Sequence, residues 1–123
     1  MKLLDDFYKI EDQSGDESAF NYSVVFNKDH FIYRAHFPGN PVTPGVCIIQ
    51  MCRELMEHHT GTQLSISKMS VAKFLSVINP AENNAVQASF SKISHTEEGY
   101  KFSVLVHDAD KQFAKIAMET LIL

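Results

Sequence analysis

The stretch VCIIQMCRELMEHH, which follows Pro44-Gly45, restricts the possible folds of this chain more than any other segment. Its apolar residues nearly encircle the first three turns of a helix, while charged residues and histidines gather toward its end. A helix that is apolar on almost every side is a buried helix, and Thr60-Gly61 supplies a stop signal. We therefore expect a central helix that the rest of the chain must cover.

The rest of the chain has the pattern of strands. Alternation over residues 17–27 predicts one strand, and Phe31, Tyr33 and Ala35 are expected to extend an irregular edge. Residues 3–13 are ambiguous between a short helix and a strand. Four further strand-like runs follow the helix, at residues 63–77, 85–93, 100–107 and 112–123. This order predicts an α+β fold in which an antiparallel sheet wraps around one long central helix.

Length, charge and cysteine usage narrow the functional classes. The 123 residues fit a single domain over residues 1–123. A formal net charge of −4 without a basic stripe argues against nucleic-acid binding. No apolar run approaches the ~20 residues of a membrane-spanning helix, and the N-terminus lacks a signal-peptide pattern. Cys47 and Cys52 are expected to be small buried hydrophobes, which suits a cytoplasmic protein without a membrane partner.

The segment HFPGNPVTPGV, from His36 to Val46, carries the chemistry. Three prolines and two glycines exclude both a helix and a central strand here. Prolines also lower the entropy of the unfolded loop and stiffen the folded one. The segment is therefore suited to holding one side chain, that of His36, at a fixed place beside the start of the helix.

This segment, followed by an apolar helix, resembles the signature of the 3-hydroxyacyl-acyl-carrier-protein dehydratases of fatty-acid synthesis. The match holds in register at the residues His36, Phe37, Pro38, Gly39, Pro41, Pro44, Gly45 and Val46. Residues 73–80, KFLSVINP, resemble the strand that follows the helix in that family and its proline turn. The resemblance covers most of the chain, and the first motif is the specific one.

The resemblance implies a hotdog fold, with members that are dimers or assemblies built from dimers. Their active sites lie at the dimer interface and combine a histidine of one subunit with an acid from the helix of the other. It also implies that no metal and no organic cofactor is used. By this resemblance His36 is the catalytic base, and the expected substrate-binding residues are Phe37, Pro38, Gly39, Pro44, Gly45 and Val46.

The sequence departs from the family at the acid. The acid stands fourteen positions after the histidine, where this chain has Gln50, and Glu54 follows one turn later. Positions i and i+4 share a helix face, so Glu54 is a candidate for the same catalytic site. The alternatives are a solvated Glu54 paired with Arg53 or His58, and a Gln50 that makes either a structural hydrogen bond or a substrate contact.

Dehydration of a 3-hydroxyacyl thioester requires a base near neutral pKa, which suits His36. The free amides where the helix opens, at Gly45 and Val46, are suited to stabilising charge on the thioester oxygen. Because Gln50 cannot ionise, three functions stay open. They are a dehydratase acting on an acyl-carrier-protein or coenzyme A thioester as a homodimer, a hotdog thioesterase, and a non-catalytic acyl-binding or partner subunit. Adjacent His58 and His59 are expected at a solvated helix end rather than on a metal.

Overall fold

The structure, a computed structural model, describes residues 1–35 and 39–123. The elements are strands β1 (Tyr8–Gly15) and β2 (Phe20–Phe26), helices α1 (Phe31–Ala35) and α2 (Gly45–Thr60), and strands β3 (Leu64–Phe74), β4 (Ala85–His95), β5 (Gly99–His107) and β6 (Gln112–Ile122). The strands form one antiparallel sheet in the order β1-β2-β4-β5-β6-β3. The strand that follows α2 therefore lies at a sheet edge, beyond the last strand of the chain.

Helix α2 buries one side against the sheet, whereas its apolar pattern predicts burial on almost every side. Its fully buried members share a core with alternate residues of the strands, among them Met51, Cys52, Leu55, Tyr22, Val24, Phe90, Val106 and Ile116. Burial on both sides was not found, because a stripe through Val46, Ile49, Gln50 and Arg53 stays open or half-open to solvent. Val46 is 71% exposed. The α+β hotdog fold is thus confirmed, with one flank of the helix left uncovered.

The helix runs antiparallel to β3 and close to it. Its first residue, Gly45, lies against the ring of Phe74 at the end of β3. At its other end the Glu57 carboxylate accepts a hydrogen bond from the Leu64 amide (2.8 Å), at the start of that strand. The uncovered flank of α2 therefore lies on the side of the molecule where the sheet ends.

The expectation that residues 31–35 extend a strand edge is wrong, because they form the short helix α1. The His30 ring nitrogen Nδ1 accepts a hydrogen bond from the Ile32 amide (3.1 Å), and the His30 carbonyl accepts one from the Tyr33 amide (3.1 Å). Ile32 and Tyr33 are both buried, whereas neighbouring residues of a strand point to opposite faces. The ambiguous N-terminal segment becomes a tight turn followed by β1.

The end of helix α2 was predicted correctly. Gly61 ends α2 in the left-handed conformation (φ 68°) and donates its amide hydrogen to the Glu57 carbonyl. The Asp108–Lys111 segment closes the hairpin between β5 and β6, with the Asp108 amide donating to the Lys111 carbonyl (2.9 Å). Cys47 and Cys52 are buried and unpaired, as predicted. Within the described ranges no helix has both the length and the apolar character to cross a membrane.

Candidate functional site

Three of the predicted site residues, His36, Phe37 and Pro38, lie outside the described residues. The structure does describe both sides of that gap, from α1 up to Ala35 and from Gly39 onward. Gly39 has a φ of 82°, a conformation that favours glycine. The described part of the candidate site therefore consists of the flanks of the predicted catalytic loop and the helix that follows it.

The second half of the loop is fixed to the rest of the fold through Thr43. This buried residue donates its amide hydrogen to the Ile78 carbonyl (2.9 Å), and its hydroxyl is hydrogen-bonded to the Tyr33 hydroxyl (3.0 Å). Burial raises the pKa of Tyr33 to about 12, so that hydroxyl stays protonated. These bonds tie the loop to α1 on one side and to the segment after β3 on the other. Sequence reasoning missed both contacts, because no local pattern reports a bond between separate turns.

Helix α2 opens with unpaired backbone donors. Pro44 precedes the helix in an extended conformation and supplies no side-chain cap. Its carbonyl accepts the amides of Cys47 (3.0 Å) and Ile48 (3.2 Å). In the part of the chain that the structure describes, the amides of Gly45 and Val46 find no acceptor. The helix dipole adds a partial positive charge at this end, so these two N–H groups are suited to an oxyanion.

An apolar cavity of about 300 Å³ lies beside the start of α2. Its lining comes from the loop, the first turn of α2 and the segment after β3: Val42, Thr43, Gly45, Ile48, Phe74, Leu75, Ser76, Val77 and Ile78. A Cβ atom at position 45 would lie 2.8 Å from the tip of the Phe74 ring, so glycine permits this close approach. The predicted contact residue Gly45 thus lines an apolar space that suits an acyl chain.

Glu54 is buried, with only 3% of its surface exposed, so the interpretation of a solvated carboxylate is wrong. Its Oε1 accepts hydrogen bonds from the Leu4 amide (2.8 Å) and the Tyr8 hydroxyl (3.1 Å). Its Oε2 accepts from the Leu3 amide (2.8 Å) and from Nε2 of Gln50 (2.9 Å). The carboxylate therefore fastens the N-terminal segment to α2.

The neighbours of this carboxylate confirm its structural setting. Burial, and then the charge of Glu54, raise the pKa of Tyr8 well above its ordinary value, so Tyr8 remains a hydrogen-bond donor. Arg53 pairs with Glu57 (2.9 Å) rather than with Glu54. The donors Leu3, Leu4 and Tyr8 lie about fifty residues away in sequence, and nothing in the pattern around Glu54 signals them.

Gln50 lies beside Glu54, as their spacing predicts. Its Nε2 donates to Glu54 and also to the Met1 carbonyl. Neither Gln50 nor Glu54 lines the apolar cavity at the start of α2, and Val46 does not line it either. One subunit therefore brings the loop, the amides and the cavity together, while Gln50 lies on the uncovered flank of the helix.

A larger cavity, of about 520 Å³, lies at the other end of α2 and contains Phe20, His59, His95 and Tyr100 in its lining. His59 stacks on Phe20 and is hydrogen-bonded through Nδ1 to the Tyr22 hydroxyl (3.0 Å). Burial, and then neighbouring His58, lower the pKa of His59. The expectation of a solvated helix end thus holds for His58 only. Among the described residues no three ligating side chains come together as a metal site.

Comparison with known proteins shows the family to which the chain is similar. The sequence profile of a family described as ApeI-like, ApeI dehydratase, matches residues 11–117. A curated relative, the 3-hydroxyacyl-acyl-carrier-protein dehydratase FabZ of a Caulobacter species, is 25% identical over 91% of this chain and 76% of its own. The FabZ proteins of Ligilactobacillus salivarius and Lactobacillus helveticus are 26% and 31% identical over 64% and 55% of this chain. This chain spans only 60% and 49% of their respective lengths.

Solved structures show the same fold. The dehydratase heterocomplex ApeI:P of Xenorhabdus doucetiae contains a chain that matches with a TM-score of 0.72 at 15% identity, over 91% of this chain and 96% of that one. A thioesterase from Haemophilus influenzae matches with a TM-score of 0.63 at 13% identity, over 94% and 78% of the two chains. These TM-scores establish the hotdog fold, and at such low identity they show the fold alone.

Proposed function

This chain belongs to the ApeI-like dehydratase family, and from that membership we propose that it binds a 3-hydroxyacyl thioester and removes water from it, with His36 as the base. The carrier of the thioester is acyl-carrier protein or coenzyme A. The observation that carries the proposal is the start of α2, where the Gly45 and Val46 amides find no acceptor among the described residues and Gly45 lines an apolar cavity. That helix start directly follows the loop that contains His36.

In the proposed reaction His36 removes a proton from the carbon between the thioester carbonyl and the hydroxyl-bearing carbon. The negative charge that develops on the thioester oxygen is held by the Gly45 and Val46 amides. The C–O bond then breaks, and the hydroxyl leaves as water with the proton that His36 had taken up. General acid catalysis is typically worth ~10²–10⁴ in rate, so a site without an acid at position 50 is expected to be slow.

The proposed site is completed by a second hotdog subunit. β3 is an edge strand with no partner on its outer side among the described residues. Antiparallel pairing of two β3 strands would continue the sheet across a twofold axis. Because α2 runs beside β3, its uncovered flank with Gln50 would then face the loop and cavity of the neighbour. We propose a homodimer, in which Gln50 of one subunit approaches His36 of the other.

A second candidate function is that of a binding or partner subunit. The observation that favours it is Gln50 itself, which occupies the position of the family's acid and already donates to two protein acceptors. The related Xenorhabdus dehydratase is a heterocomplex. In this alternative the chain would hold an acyl thioester or support a competent partner without turnover of its own.

The test is an assay with crotonyl and 3-hydroxybutyryl thioesters of acyl-carrier protein and of coenzyme A. Interconversion of the two acyl groups without release of free thiol is the expected result. Release of thiol would instead identify a thioesterase, and binding without turnover would identify the partner subunit. His36→Ala should abolish turnover, whereas His58→Ala, at an exposed position on α2, is the matched control and should retain it.

A further inference from the structure

The side-chain amide of Gln50 has one permitted orientation. It faces Oε2 of Glu54 (2.9 Å) and the carbonyl oxygen of Met1. A carboxylate and a backbone carbonyl only accept hydrogen bonds, so the nitrogen of the amide must be the atom turned toward both. This holds however the oxygen and nitrogen of such a side chain are assigned. The carbonyl oxygen Oε1 of Gln50 therefore points away from Glu54.

The carboxylate that sets this orientation is itself held in place. Each oxygen of Glu54 accepts two hydrogen bonds, Oε1 from Leu4 and Tyr8, and Oε2 from Leu3 and Gln50. If the carboxyl group of Glu54 were protonated, its hydrogen would face the hydrogen of one of these donors. The arrangement is therefore that of a buried acceptor that holds its neighbours, and it does not suit a group that delivers a proton to a substrate.

We propose that Glu54 is a positioning residue that fixes the Gln50 amide, so that position 50 presents a hydrogen-bond acceptor to the hydroxyl group of a 3-hydroxyacyl thioester. The inference rests on the proposed function and names the part of the substrate that Gln50 recognises. Oε1 of Gln50 receives no hydrogen bond within the described part of the chain. An acceptor there favours a ligand with an O–H donor over the same ligand without it.

The pair also explains why the acid cannot simply be restored. Gln50→Glu would set a second carboxylate against Oε2 of Glu54 and against the Met1 carbonyl, which offer no hydrogen. We therefore expect the Q50E variant to dehydrate no faster than the unaltered protein.

The decisive measurement is binding, which does not depend on turnover. In a His36→Ala background, dissociation constants are measured by calorimetry for 3-hydroxybutyryl and for butyryl coenzyme A. The variant that retains Glu54 should bind 3-hydroxybutyryl coenzyme A more tightly than butyryl coenzyme A. In Glu54→Gln the ratio of the two dissociation constants should fall about three- to tenfold, as expected for one hydrogen bond. Tyr8→Phe is the matched control, because it removes a donor from the other carboxylate oxygen and should retain the preference.

Three results would overturn the inference. The first is an equal loss of affinity for both ligands in Glu54→Gln, which indicates a purely structural carboxylate. The second is a loss of preference in Tyr8→Phe as large as in Glu54→Gln, which indicates general loosening of the N-terminal segment. The third is binding of neither thioester by any variant, which rejects the proposed function as well. Either of the first two results, together with turnover by the protein that retains His36, would reject the inference alone.

Discussion

The contact between Gly45 and Phe74 decides the shape of the cavity at the start of α2. A methyl group at position 45 would meet the tip of the Phe74 ring at 2.8 Å. That ring is 48% exposed, so it can swing outward instead of straining the core. Gly45→Ala should therefore change the free energy of unfolding by less than about 1 kcal/mol, because alanine also favours the helix. Affinity for butyryl coenzyme A should nevertheless fall.

The control for this prediction is the pair of variants Phe74→Ala and G45A/F74A. Once the ring is absent, the methyl group at position 45 has nothing to displace, so the two should bind the thioester alike. Urea unfolding and calorimetry measure the two effects separately. A loss of several kcal/mol of stability in Gly45→Ala would show that the ring is held rigidly and that the prediction is wrong.

At this same scale, sequence reasoning placed Gln50 beside Glu54 and did not foresee the burial of the carboxylate. Helical spacing alone brings positions 50 and 54 together. The hydrogen-bond donors that stabilise the buried carboxylate of Glu54 come from Leu3, Leu4 and Tyr8, which reach the helix only in the folded chain. Long-range hydrogen bonds of this kind leave no periodic signal in the sequence.

At the scale of elements, two glycines that end or begin elements should respond differently to alanine. Gly99 begins β5, where a Cβ atom would lie 1.8 Å from the backbone oxygen of Thr120 on β6. Gly61 has open space around it, so glycine is favoured there only by the left-handed φ of 68°. We expect Gly61→Ala to cost about 1–2 kcal/mol of stability. Gly99→Ala should cost about 3 kcal/mol or more, because two backbones must separate.

Chemical denaturation of the two variants beside the unaltered protein measures this difference. Equal costs would mean that β5 and β6 separate easily at this end, against the close pairing of Gly99 with Leu121. The signals in the sequence correctly located Gly61 at the end of α2. They did not distinguish a glycine required by backbone conformation from one required by close approach, because that difference depends on the neighbouring strand.

Periodicity predicted most elements and failed where a local side chain intervenes. The alternation in β2 and the apolar run of α2 gave the right type of structure. In α1 the alternating aromatic residues suggested a strand, yet the His30 ring accepts the amide of Ile32 and starts a turn of helix. A histidine is a rare residue in that capping position, so sequence rules for helix starts give it little weight.

At the scale of the whole molecule, the order of strands was the part that the sequence could not supply. Alternation tells which face of a strand is buried, and it does not tell which strands are neighbours. The chain passes from α2 to β3 and leaves β3 at the sheet edge, where β6 is its one partner among the described strands. That placement exposes apolar side chains of β3, including Val71, which is 44% exposed.

A long exposed edge is a liability unless something covers it. β3 has eleven residues, and its Ile66, Val71 and Phe74 side chains are exposed. We expect Val71→Lys to weaken the proposed dimer, because each charge would be repeated across the twofold axis against its own copy. Sedimentation should show a shift from dimer to monomer, and thioester turnover should fall in proportion, since one subunit would then lack its neighbour's helix flank.

Gln13→Lys tests whether the added charge alone has this effect. It places the same charge on β1, the opposite edge of the same sheet, at an exposed position. Because β1 takes no part in the proposed pairing, this variant should sediment and turn over as the unaltered protein does. If Gln13→Lys dissociates the assembly while Val71→Lys leaves it intact, the subunits pair through β1, and the flank with Gln50 lies far from any neighbouring His36. A site completed across β3 then has no structural basis, whatever reaction the single subunit performs.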